Sequence, residues 1–144
     1  MSTPIPRPLR AIVRERAVGR CEYCQSAEIY CGYEFEVDHI FPTSAGGLTA
    51  LDNLALACSN CNAHKNARTQ APDPPTDTLT DLFHPRHDRW GEHFAWSEDG
   101  TRVIGLTAVG RATVLALQMN NSTVVFARAF WVDYGVHPPA QISR

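Results

Sequence analysis

The sequence lacks any long hydrophobic run. In 144 residues, nothing approaches the roughly 20 apolar residues that a membrane-spanning helix needs. The first 20 residues carry five arginines where a secretory leader would have an apolar segment. We therefore expect a cytoplasmic, intracellular protein with no membrane partner.

The chain also lacks a strong net charge, internal repeats and low-complexity tracts. A net charge of -2 predicts no polyanion partner by itself, and 44% hydrophobic residues are ordinary for a globular protein. The charge is nevertheless segregated, because residues 1–20 hold five arginines and residues 21–61 hold six carboxylates without Lys or Arg. Arg10 and Arg14 could therefore contact a phosphate backbone, and the alternative is the solvated face of a helix.

Cysteine is sparse and odd in number, which argues against a fully paired disulfide framework. Four of the five cysteines form two Cys-x-x-Cys pairs, Cys21/Cys24 and Cys58/Cys61. In a reducing compartment, four thiols at this spacing favour a tetrahedral zinc site. The sequence thus predicts a structural Zn²⁺ that holds the enclosed loop in one shape.

Hydrophobic spacing gives a coarse order of elements. Apolar residues from Leu9 to Ala17 predict a helix, and alternation over residues 35–38 predicts a short strand that ends near His39. A loop, a second strand or extended segment and a helix over residues 62–68 should follow, with Ser59 as the helix cap.

Three prolines in residues 71–79 predict a linker, because proline lacks the amide donor that helices and sheets use. Residues 80–144 then predict a second subdomain, with a hairpin followed by two helices capped by Thr107 and Ser122. The predicted organisation is residues 1–70, a linker at 71–79 and residues 80–144.

The motif residues resemble the HNH endonuclease family in its zinc-bearing form. The resemblance spans about residues 10–68, and Asn62 stands where the family usually has a His directly after the last Cys. It implies an α+β fold, with a small ββα-metal nuclease core and zinc knuckles ahead of the α+β C-terminal subdomain. The residues that carry it are Cys21-x2-Cys24, Val37-Asp38-His39-Ile40, Gly46-Gly47, Asn53-Leu54 and Cys58-x2-Cys61-Asn62-x2-Lys65.

The resemblance implies a metal-dependent endodeoxyribonuclease acting on DNA. His39 suits the role of general base, because an imidazole titrates near neutrality. Asp38 and Asn62 would hold a catalytic Mg²⁺ or Mn²⁺, with Asn66 as a possible third ligand. Asn53 resembles the middle Asn of the motif, which positions the base.

Lys65 and Arg68 follow the second cysteine pair and could meet backbone phosphates; the alternative is helix charge that complements the dipole. Two other functional classes stay open: a catalytically inactive, zinc-stabilised nucleic-acid-binding module, and a structural zinc protein that binds protein partners. The sequence does not identify a protein partner.

Overall fold

The chain folds into two compact units in a computed structural model that describes residues 4–140. The first unit runs through Thr69 and also contains His84–His87; the second contains Gln70–Phe83 and the chain from Asp88 onward. Helices and small antiparallel sheets alternate in both, so the predicted α+β class is confirmed. Within the described residues, no helix combines the length and apolar character needed to cross a bilayer.

The first unit is built around a two-stranded hairpin followed by a helix, which is the ββα arrangement. Strand β1 pairs antiparallel with β2, with Asp38 opposite Ala55 and His39 opposite Leu54. Two 3₁₀ turns lie between these strands, at Thr43–Ala45 and Leu51–Asn53. The regular elements of this unit are α1 (Arg7–Arg16), α2 (Glu28–Cys31), β1 (Glu36–His39), β2 (Leu54–Ala57) and α3 (Ser59–Lys65).

Burial explains why the two strands differ in sequence. All four residues of β2 are buried, so Leu54–Ala57 reads as a continuous apolar run. Strand β1 instead carries three polar side chains, Glu36, Asp38 and His39, and all four of its residues line a cleft. The predicted N-terminal helix is confirmed as α1, whose Val13 is fully buried.

The helix after the second cysteine pair begins and ends earlier than the sequence indicated. Its N-cap is Cys58, whose sulfur accepts a hydrogen bond from the Cys61 amide, and not Ser59. The helix ends at Lys65 because Asn66 takes a φ of +54°, which no helix continues. The sulfur therefore both caps the helix and belongs to the cysteine cluster.

In its described part, up to residue 140, the second unit contains two hairpins and three helices. The predicted pair of C-terminal helices is present, and Thr107 caps the first of them as expected. Asn121, one residue before the predicted Ser122, caps the second. The elements are β3 (Gln70–Asp73), β4 (Thr78–Asp81), α4 (Trp90–His93), β5 (Phe94–Trp96), β6 (Val103–Gly105), α5 (Ala108–Ala116) and α6 (Ser122–Asp133).

The predicted linker over residues 71–79 is instead most of a hairpin. Strand β3 pairs antiparallel with β4, with Pro72 opposite Leu79. A two-stranded sheet leaves one edge of each strand unpaired, so a proline costs no ladder hydrogen bond where its missing N–H would face that edge. The proline content alone therefore did not exclude a strand.

Candidate active site and zinc centre

Four buried cysteines form the first part of the site. The sulfur atoms of Cys21, Cys24, Cys58 and Cys61 all lie within 4.8 Å of one another, and none is in a disulfide. The Cys24 and Cys58 sulfurs are 3.7 Å apart. Zn–S bonds of about 2.3 Å in a tetrahedron place sulfurs about 3.8 Å apart, so the four thiols fit zinc.

Each Cys-x-x-Cys turn is closed by an amide–sulfur hydrogen bond. The Cys24 amide donates to the Cys21 sulfur at 3.5 Å, and the Cys61 amide donates to the Cys58 sulfur at 3.4 Å. Hydrogen bonds from the other cysteines lower the pKa of Cys24, whereas burial raises the pKa of Cys21. Of these two cysteines, Cys24 is thus the one whose thiolate, the form that binds metal, the cluster favours.

A cleft of about 480 Å³ lies beside β1 and α3. It is lined by Asp38, His39, Asn62 and Asn66, four of the residues that the sequence singled out. Glu36 also lines it, and the sequence reading missed this residue although it lies two positions before Asp38 on the same strand face. Carboxylate and amide side chains and an imidazole therefore line the same cleft.

His39 is held through one ring nitrogen. Its Nε2 lies 2.9 Å from the Thr49 hydroxyl, and the side chain is only 8% exposed. No described residue bonds Nδ1. A tautomer that donates from Nε2 to Thr49 leaves the Nδ1 lone pair able to accept a proton. Thr49 carried no sequence signal, because the contact crosses a ten-residue loop.

Asn53 ties together the two ends of that loop. Its side-chain oxygen accepts from the Phe41 amide at 2.9 Å, and its Nδ2 donates to the carbonyls of Phe41 and Leu48 at 3.0 and 2.9 Å. Gly47 packs against the same point, since a Cβ there would lie 1.9 Å from the Phe41 carbonyl oxygen. These bonds fix the backbone that follows His39.

Asp38 is buried against two polar partners. The Tyr23 hydroxyl donates to Asp38 Oδ2 at 2.8 Å, and Lys65 Nζ lies 3.1 Å from the same oxygen. Burial raises the pKa of Asp38, and the positive charge of Lys65 opposes that rise. Lys65 is the chain's only lysine and is 1% exposed, so the predicted phosphate contact by Lys65 is wrong.

The helix residues differ in their setting. Asn62 donates from Nδ2 to Glu36 Oε2 at 2.9 Å. Asn66 is exposed and caps the end of α3. His64 turns its Nδ1 to the Asn60 carbonyl at 2.8 Å and is not a member of the metal-binding cluster. Asn62 is thus the helix residue whose amide is oriented by a neighbour in the cleft.

Two of the arginines of α1, Arg14 and Arg16, form hydrogen bonds within the protein. Arg14 bonds Glu28 through two nitrogens and also donates to the Phe35 carbonyl at 3.1 Å. Its side chain is still 35% exposed, so its contact with DNA stays a prediction. Arg16 donates to the Leu54 carbonyl. Arg10 and Arg68 are exposed.

Comparison with known proteins agrees with this arrangement. Residues 21–68, under half of the 144-residue chain, match the family model described as HNH endonuclease. The match and the four-cysteine cluster identify this segment as an HNH domain consistent with the zinc-bearing form. Such a domain indicates a nuclease-type or nucleic-acid-binding function. No curated protein sequence matches the chain.

Proposed function

We propose that the protein is a metal-dependent endonuclease that hydrolyses DNA phosphodiester bonds. The observation that supports this most is the single cleft that gathers His39, Asp38 and Asn62 beside a four-cysteine zinc site. An imidazole next to hard oxygen ligands suits phosphodiester hydrolysis, which needs an activated water and stabilised phosphate charge.

The cleft offers oxygen atoms for a divalent ion. Asp38 contributes a carboxylate and Asn62 a neutral amide oxygen, because its Nδ2 is committed to Glu36. Asn66 is the possible third ligand. Few protein oxygens plus water suit Mg²⁺ or Mn²⁺, and such an ion supplies charge to the scissile phosphate and to the departing 3′ oxygen.

His39 acts as the general base. With Nε2 bonded to Thr49, Nδ1 takes a proton from water as the water oxygen bonds to phosphorus. The bond from phosphorus to the 3′ oxygen breaks, and that oxygen leaves with the bonding electrons and takes a proton from solvent. The products carry a 5′-phosphate and a 3′-hydroxyl.

Other residues position the base and the substrate. Asn53 holds the loop from Phe41 to Leu48, so the His39 ring stays against Thr49. Arg10 and Arg68 are exposed and would contact backbone phosphates, and Arg68 also donates to the His64 carbonyl. Zinc held by the four cysteines would fix the two Cys-x-x-Cys turns.

One observation favours a second function. The Asp38 carboxylate already has the Lys65 ammonium 3.1 Å away, and this ion pair offsets the charge that would attract a divalent ion. A protein in which that pair keeps the cleft free of metal would be a catalytically inactive, zinc-stabilised module that only binds nucleic acid.

The test is a nicking assay on supercoiled plasmid with Mg²⁺, Mn²⁺, Ca²⁺ or no divalent ion, using wild type and His39→Ala. We expect nicking only with Mg²⁺ or Mn²⁺ and a loss of about 10²–10⁴-fold in His39→Ala. Salt-sensitive DNA binding without cleavage in any metal would support the binding module instead.

A further inference from the structure

Asp38 lines the cleft and is held by two buried side chains that do not line it. Tyr23 and Lys65 both contact Asp38 Oδ2, at 2.8 and 3.1 Å. Lys65 Nζ also donates to the His39 carbonyl at 3.2 Å. One buried ammonium therefore contacts both the proposed metal ligand and the backbone of the proposed base.

The two oxygens of the Asp38 carboxylate have different surroundings. Tyr23 and Lys65 both contact Oδ2, and none of the described residues bonds Oδ1. The Asp38 carboxylate is therefore held through one of its oxygens, and Asp38 itself lines the cleft. A fixed carboxylate loses less conformational freedom on binding a cation than a free one does.

Both partners of Asp38 come from the cysteine-bearing segments. Tyr23 lies inside the first Cys-x-x-Cys turn, next to Cys24, and Lys65 lies on α3, four residues after Cys61. Zinc bound by the four sulfurs would fix both segments at once. The donors that orient Asp38 are thus placed by the zinc site.

We propose that Tyr23 and Lys65 are positioning residues that hold Asp38 Oδ2 and so present Oδ1 to the catalytic divalent ion, linking the zinc site to the metal cleft. This inference rests on the proposed function. Because only one carboxylate oxygen is presented, the cleft favours octahedral Mg²⁺ or Mn²⁺ over Ca²⁺, which takes more oxygens and often a bidentate carboxylate.

The test compares wild type with Tyr23→Phe and Lys65→Met, with Tyr134→Phe as the control. Tyr23→Phe removes one hydroxyl and keeps the ring, whereas Tyr134 lies in the second unit and is 88% exposed. Zinc content is measured on each protein, Mn²⁺ binding is titrated by electron paramagnetic resonance, and plasmid nicking is followed against Mg²⁺ concentration.

We expect Tyr23→Phe to retain zinc and to weaken Mn²⁺ binding by roughly 10–100-fold. The half-saturating Mg²⁺ concentration for nicking should rise by a similar factor, with a smaller change in the rate at saturating Mg²⁺. Lys65→Met loses the same orientation but also removes a positive charge beside the ion, so it should weaken Mn²⁺ binding less than Tyr23→Phe does. If Lys65→Met does not fold, Tyr23→Phe decides.

Unchanged Mn²⁺ affinity in a zinc-loaded Tyr23→Phe would overturn the positioning role while wild-type nicking still supports the nuclease. Joint loss of zinc and Mn²⁺ in both variants would also overturn it, since the contacts would then be structural. If wild type binds Mn²⁺ but does not nick DNA, only the nuclease proposal is contradicted. If wild type has no Mn²⁺ site, the nuclease proposal and the positioning role are both contradicted.

Discussion

Asn62 donates a hydrogen bond from Nδ2 to Glu36 Oε2 at 2.9 Å, across the cleft between α3 and β1. This bond determines which end of the amide faces the cleft, because the nitrogen is committed to the carboxylate. Glu36→Ala should free the amide and weaken the divalent-ion site by about 1 kcal/mol, or several-fold in Mg²⁺ requirement. Glu36→Gln keeps an acceptor and should lose less. Equal Mg²⁺ titrations of nicking for wild type and Glu36→Ala would contradict this role.

Cys58 contributes both a sulfur to the zinc cluster and the N-cap of α3. Cys58→Ser should therefore lose zinc and more than about 4 kcal/mol of stability, as metal loss does in small domains. His39→Ala removes a bond to Thr49 and should cost only about 1–2 kcal/mol. Thermal unfolding with zinc analysis measures both, and equal melting losses would show that the cysteines are no more structural than the base.

Gly47 leaves no room for a side chain. Its Cβ would lie 1.9 Å from the Phe41 carbonyl oxygen and 2.9 Å from Asn53 Nδ2. Gly47→Ala should cost about 1–3 kcal/mol and reduce nicking, because the loop that positions His39 must shift. The matched control is Gly46→Asn, at a φ of +86° with nothing within 4 Å, which Asn tolerates. Similar nicking by both variants would argue against a loop requirement.

The ion pair between Asp73 and Arg111 should make the stability of the second unit depend on pH. Arg111 donates two hydrogen bonds to it, at 2.9 and 2.8 Å, and these lower the pKa of Asp73 below 3.8. A lowered carboxylate pKa stabilises the fold above the unfolded pKa, and that contribution disappears as the pH falls through the folded pKa. Asp73→Asn should therefore melt earlier than wild type at pH 7, and the two should converge as the pH falls below the lowered pKa of Asp73.

Tryptophan fluorescence is the measurement for this comparison. The chain's three tryptophans, Trp90, Trp96 and Trp131, all lie in the second unit, so their signal reports unfolding there. A melting difference that persists unchanged at acid pH would mean that the Asp73 carboxylate does not carry the effect.

The sequence predicted those parts of the site whose residues lie close together in the chain. The cysteine spacing predicted a cluster that the structure shows, and Asp38, His39, Asn62 and Asn66 do line one cleft. The residues of each motif could be grouped because they lie within a few positions of one another in the chain. Their roles as base and metal ligands stay predictions. Asn53 bonds its loop as expected, although its effect on His39 stays a prediction.

Long-range partners could not be predicted from the sequence. A helix position gives a direction but not what lies opposite, so the sequence did not indicate that Lys65 is buried against Asp38. The same holds for the Arg14 contacts with Glu28 and for Thr49 beside His39. Each depends on tertiary packing between segments far apart in the chain.

We propose that one domain holds two metals with separate ligand sets. Anomalous diffraction from crystals of the zinc-loaded protein grown with Mn²⁺ tests this directly. We expect a zinc peak among the four cysteine sulfurs and a manganese peak beside Asp38 and Asn62, the latter lost in Asp38→Asn. A zinc peak away from the sulfurs, or no manganese in the cleft at saturating Mn²⁺, would contradict it.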